Sequence, residues 1–132
     1  AGATSLALAA SPLTISGDTT GAANEFGAAI SCGTGLTFDG PQRYFRLELV
    51  AGTTYTFTLK PTGFDAALYL FGDTSCQPAS IQTQCTGQVA DNSRAGLPEQ
   101  LVVTPQATQE YICAVDAFDP AAAGPFTLTV GW

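Results

Sequence analysis

Eleven carboxylates, four cysteines and no histidine set the chemistry open to this 132-residue chain. Nucleophilic catalysis of the Ser–His–Asp type needs a base that titrates near neutrality, and without histidine that role has no occupant. Lys60 is the single lysine and lies at the end of an expected strand, with no serine marked as its partner. Paired carboxylates can hydrolyse glycosides. The pairs on offer, Asp116 with Asp119 and Asp65 with Asp73, fall in turns or at strand ends, where aspartate commonly bonds its own backbone. No catalysis is expected, and no cofactor is required.

Calcium is the metal these residues could take, because it accepts six to eight oxygen ligands from loops. The stretch "GDTTGAANEFG" carries Asp18, Asn24 and Glu25, and Asp39 follows shortly before the next strand; these four are the candidate ligands. There is no DxDxDG loop. The competing expectation is that Asp18 and Asn24 hydrogen-bond their own loop.

The cysteines are Cys32, Cys76, Cys85 and Cys113, and none belongs to a CxxC pair. Two disulfides are the natural reading, which places the chain in an oxidising, extracellular setting. Four cysteines allow three pairings. Cys76 with Cys85 would close the polar loop "CQPASIQTQC", and Cys32 with Cys113 would then tie an early loop to a late strand. The start at Ala1 fits a secreted product after signal-peptide removal.

The net charge of −7, with four basic residues against eleven acidic, leaves no cationic stripe for nucleic acid. No run of eighteen apolar residues suggests a membrane span. Charged residues are only 11% of the chain, so Thr, Ser, Gln, Ala and Gly must supply much of the surface.

The elements that position these groups alternate with period two. "RYFRLELV", "TYTFTLK", "AALYLFG", "EQLVVTP", "EYICAVDA" and "FTLTVGW" are expected strands, separated by turns such as "VAGTT", "KPTGFD" and "DPAAAGP". "VAGTT" reads as a hairpin between strands near 42–50 and 53–60. Seven or eight such strands indicate a β-sandwich of two antiparallel sheets. Residues 17–41 read as a long loop crossing one end. Tyr44 and Tyr69 alternate away from the core, either as an exposed ligand surface for protein or carbohydrate or as rings packed under loops.

Residues 1–13 form an amino-terminal arm ahead of a domain spanning 14–132. Leu6, Leu8 and Ala10 alternate, and Pro12 interrupts the pattern as a hinge. A strand cannot stand alone in water. The arm pairs with its own sandwich, stays disordered, or pairs with a neighbouring copy by strand addition.

Three segments together resemble the bacterial pre-peptidase C-terminal (PPC) domain: "ISGDTTGAANEFG", "GPQRYFRLELVAGTTYTFTLKPTGFDAALYLFGD" and "EYICAVDAFDPAAAGPFTLTV". The match runs over about residues 14–131. It implies a secreted, jelly-roll-like sandwich of the kind appended to exported enzymes. It also implies kinship in fold with the collagen-binding domains of clostridial collagenases, some of which bind calcium near this entry segment. The expected function is a non-catalytic, secreted structural subunit that joins copies of itself into an extracellular filament or surface assembly by donating its arm. The alternative is a PPC-type module that binds an extracellular protein or carbohydrate polymer, detached from a secreted enzyme.

Overall fold

Alternating apolar residues build two sheets, seen in a computed structural model that describes residues 3–26, 29–72, 77–90 and 96–132. In chain order the elements are β1 (Thr4–Ser5), β2 (Leu13–Asp18), β3 (Arg43–Leu49), β4 (Tyr55–Pro61), β5 (Ala66–Phe71), α1 (Pro78–Cys85), β6 (Val89–Ala90), β7 (Glu99–Val103), β8 (Gln109–Ala117) and β9 (Pro125–Gly131). Sheet A runs β1-β3-β8-β5-β6 and sheet B runs β2-β9-β4-β7. All pairings are antiparallel except β1 on β3. The fold is the β-sandwich that the sequence indicates.

Between the sheets lies a core of Leu47, Leu49, Phe57, Leu59, Leu68, Leu70 and their neighbours. These are the positions that alternation assigns inward, because successive strand residues face opposite ways. A second buried cluster covers the other face of sheet A. There Ile30, Cys32 and Phe38, with Ile81 and Cys85 of α1, pack on Tyr44, Tyr69, Phe71 and Ile112. Segment 29–42 and α1 thus form a roof over sheet A.

Four expectations are corrected here. The "VAGTT" turn does not close a hairpin, because β3 pairs with β8 in sheet A while β4 pairs with β9 and β7 in sheet B. The turn carries the chain across the sandwich, so that both of its apolar strands bury one face in the same core. "CQPASIQTQC" is not a disulfide-closed loop; most of it is α1. Proline in its first turn suits a helix start. Ile81 and Cys85, four apart, give it one buried face.

The disulfide joins Cys32 to Cys85, with Cα atoms 5.0 Å apart. Cys113 is a buried free thiol. It faces the inter-sheet core while Cys32 sits in the roof on the other side of sheet A, so the strand itself separates the pair expected to bond. Cys76 lies outside the described residues. Finally, Tyr44 and Tyr69 do point away from the core, but they are 6% and 0% exposed beneath the roof, so they are not an exposed ligand surface.

Candidate functional site

The roof is held by a polar clamp. Asp116, fully buried on β8, accepts the Tyr69 hydroxyl at 2.8 Å and the Ala117 amide at 2.8 Å. The Gly40 amide donates to the Ala117 carbonyl at 2.8 Å, laying the roof on the end of β8. A Cβ at Gly40 would stand 2.6 Å from that of Ala117, so only glycine permits this approach. Gln42, also buried, accepts the Tyr44 hydroxyl and the Glu25 amide, each at 2.8 Å, and donates to Asn24 Oδ1 at 3.0 Å. Burial pushes the Asp116 carboxyl up to about 7, against the pull of its hydrogen bonds from Ala117 and Tyr69. Burial first, and the Asp116 charge second, push the Tyr69 phenol well above its ordinary value. Burial alone raises the Cys113 thiol, which suits an inert core residue rather than a reactive one.

The four candidate calcium ligands do not form a cation cradle. Asn24 Nδ2 donates to the Asp39 carbonyl at 2.9 Å and to Asp39 Oδ1 at 2.8 Å. The Asn24 oxygen is taken by Gln42. Asp18, at the end of β2, accepts the Thr20 amide at 2.8 Å, and this bonding holds its carboxyl below the usual range. Glu25 enters through its amide, bonded to Gln42. An amide that donates to an oxygen competes with a cation for it, so these residues do not fit calcium as arranged. Among the described residues no three His, Cys, Asp or Glu side chains gather where they could hold a metal. Of the carboxylates considered for hydrolysis, Asp116 and Asp119 are likewise committed. Asp116 is in the clamp, Asp119 accepts the Ala121 amide at 2.9 Å, and Asp73 lies outside the described residues.

The arm is seated on its own molecule, the first of the three fates that the sequence leaves open. Thr4 and Ser5 pair in parallel with Phe45 and Arg46 of β3, and the Leu6 amide donates to the Arg46 carbonyl at 2.8 Å. Leu6 and Leu8 pack, partly buried, against the core. The sandwich is open between β3 and β2, and the two leucines fill part of that opening. Ala10 and Pro12 are exposed, between Leu8 and the start of β2.

A surface that the strand-by-strand sequence reading passed over is the outer face of sheet B. The register aligns Thr14 of β2, Thr129 of β9, Thr58 of β4 and Gln100 of β7 in one row across all four strands. Ser16, Thr127 and Lys60 make the next row, and Gly131, Thr56 and Val102 the row on the other side. Thr14 and Thr129 hydroxyls are 3.0 Å apart, and Gln100 Nε2 donates to Thr58 at 3.4 Å. Beyond them Thr54 and Thr104 hydroxyls meet at 2.8 Å. Strand spacing and the two-residue repeat set the hydroxyls on a grid of about 4.8 by 6.8 Å. Lys60 is the one charged side chain in these rows. No described element covers this face as the roof covers sheet A. Its signal was present in "LTIS", "TYTFT" and "FTLT", where threonine or serine recurs at every second position, but only the register reveals that the repeats stand side by side.

No protein-family model and no curated protein sequence matches the chain. Solved structures do. The PPC domain of a collagenase from Bacillus anthracis aligns over 98% of this chain and 94% of its own, with a TM-score of 0.62 and 11% identity. A surface-associated copper-binding protein, CorA of Methylomicrobium album BG8, aligns over 98% and 97%, with a TM-score of 0.55 and 9% identity. PliG, a periplasmic inhibitor of g-type lysozyme from Aeromonas hydrophila, aligns over 97% and 95%, at 0.49 and 20%. The chain therefore has the fold of a PPC domain.

Proposed function

We propose that this chain is a non-catalytic module working outside the cytoplasm, and that it binds a neutral, polyhydroxylated polymer along the outer face of sheet B. The observation that carries this is the uncovered hydroxyl grid of Thr14, Thr129, Thr58, Thr127 and Thr56 on an otherwise acidic protein. Each hydroxyl both donates and accepts, so the face can exchange its water for the hydroxyls of a polysaccharide chain at many weak points. An anionic polymer would be repelled by the net charge of −7, whereas a neutral one is not. The Cys32–Cys85 bond supports an oxidising compartment. The structural bonds that hold Asp116 and Asp119 support a role in binding.

The test is retention of the protein on insoluble neutral polysaccharides, compared with the double variant Thr58→Lys/Thr129→Lys. Those side chains line the outer face as direct cross-strand partners, so the paired lysines should lower the melting temperature modestly while the protein stays folded at the assay temperature, and retention should fall at least about tenfold, the equivalent of losing one or two hydrogen bonds. Absence of retention on every neutral polysaccharide, or equal retention by the variant, would defeat the proposal.

A structural role is the second reading, favoured by a different observation. The arm occupies an edge of the sandwich through a two-residue strand. A segment held so briefly on its own fold is suited to joining copies into an extracellular assembly.

A further inference from the structure

We infer that residues 3–8 exchange between copies of this chain, the arm of one molecule taking the seat on β3 of a second. The inference rests on the structural reading just given and is independent of polymer binding.

The bonds that hold the arm are few. Among the described residues they are the two-residue parallel ladder and the Leu6 amide bond to Arg46. Thr4 and Ser5 are exposed, and Leu6 and Leu8 are only partly buried. The seat is larger than its occupant. A cavity of about 450 Å³ lies on one side of Leu6, against Ile15, Phe45 and Phe126. Another of about 410 Å³ lies beside Leu8, against Val50, Tyr55 and Trp132. The arm is thus a loosely held plug in an apolar opening, not a strand locked into the sheet.

The pivot is equally well marked. The Trp132 amide donates to Ser11 Oγ at 2.9 Å, and Leu13 is already paired with Val130. Everything from Ser11 onward is therefore pinned, and the freedom to swing falls on the exposed Ala9 and Ala10 rather than on Pro12. Residues 3–10, extended, reach about 28 Å. That is enough to leave one molecule and enter the opening of the next.

Exchange leaves every contact unchanged in kind, because the second copy offers the same Phe45, Arg46 and core edge. The balance is set by concentration and by the pivot. A short tether gives its own seat an effective concentration on the order of 1 mM, so exchange becomes substantial when the protein approaches that value. Swapping one element between identical chains is a low-cost route to assembly, and a one-way exchange that does not close on itself propagates as a fibre.

The experiment uses full-length Ser5→Cys and Arg46→Cys variants. These positions are register partners on the outward side of the β1–β3 ladder. The double variant Ser5→Cys/Arg46→Cys should oxidise to an internally bonded monomer when dilute, which verifies the seat. The two single variants, tagged to differ in mass, are then mixed and oxidised near 1 mM and at about 10 µM. A covalent adduct joining Cys at 5 of one chain to Cys at 46 of the other, identified by peptide mass, is expected near 1 mM and at least about tenfold less at the lower concentration. Mass identification excludes adducts made through native cysteines. An adduct-free mixture at 1 mM, alongside full internal bonding in the double variant, overturns the inference, as does a double variant that never bonds internally. Retention on polysaccharide, measured in the same proteins, reports separately on sheet B.

Discussion

Replacing Asp116 should abolish a pH dependence of stability that runs opposite to ordinary acid denaturation. Asp116 is buried on β8 with a carboxyl raised from 3.8 to about 7 in the folded chain. Below about pH 4 it is protonated whether the chain is folded or not. Between about 4 and 7 the folded state keeps the proton that the unfolded state has released, so rising pH favours unfolding. Above 7 both states are ionised and the effect levels off. A displacement of about three pH units corresponds to about 4 kcal/mol of stability lost across that window. Asp18 works in the other direction. Its carboxyl is lowered by bonds from Thr20, so its contribution is present above 3.8 and fades only as pH falls through and below that value. The two windows hardly overlap.

The assay is urea unfolding followed by circular dichroism from about pH 5 to 8. With a slope of about 2 kcal/mol per molar, typical of a domain this size, the midpoint should fall by about 1–2 M over that interval. Asp116→Asn keeps the shape and an acceptor for the Tyr69 hydroxyl but carries no titrating proton, so its midpoint should be flat with pH whatever its absolute stability. A wild-type midpoint that is constant or rises from pH 5 to 7.5, or an Asn variant with the wild-type slope, would refute the account of the clamp.

Three further outcomes follow from the same packing. The Cys32–Cys85 bond spans 53 residues, for which the chain-entropy argument gives about 4 kcal/mol, so Cys32→Ser/Cys85→Ser should lose stability of that order in chemical denaturation. Tyr44→Ala should cost about 3–5 kcal/mol in the same measurement, since the ring is buried against Phe26 and bonded to Gln42; a variant as stable as the parent would mean that the roof does not sit on sheet A. Calcium at millimolar concentration, or a chelator, should leave the melting temperature unchanged, because Asn24 already donates to the Asp39 oxygens; a rise of several degrees with calcium would show that the loop rearranges around the ion.

Period-two patterning made most of the sandwich legible, because each strand residue faces one side and the apolar set of each strand declares which side is buried. "RYFRLEL" and "YTFTLKP" buried the residues expected of them. What the pattern could not tell was which strand pairs with which. Two neighbouring amphipathic strands joined by a tight turn look alike whether they share a sheet or face each other across the core, and here they face each other. The roof was illegible for a related reason. Tyr44 and Tyr69 alternate outward as the sequence suggests, but whether outward means solvent depends on a distant segment that carries little pattern of its own. That segment is fixed by α1, whose helical signal is only Ile81 and Cys85. Its glutamines then stand in for backbone partners: Gln82 Oε1 accepts the Ser31 and Cys32 amides, and Gln84 Oε1 accepts that of Gly72.

The roof also explains why the two outer faces of the sandwich differ in composition. Sheet A carries Tyr69, Phe71 and Ile112 outward, and these require cover, so the chain spends segment 29–42, α1 and its disulfide on that side. Sheet B carries threonine, serine and glutamine outward, and these need none. Threonine is as good a strand former as valine but holds a hydroxyl where valine holds a methyl group, so a face built from it is both stable as sheet and content in water. With charged residues only 11% of the chain, such a face carries Lys60 alone in its aligned rows where exposed sheets normally carry several charges to keep apart. Uncovered and nearly uncharged, that face is the surface on which the proposed polymer binding depends.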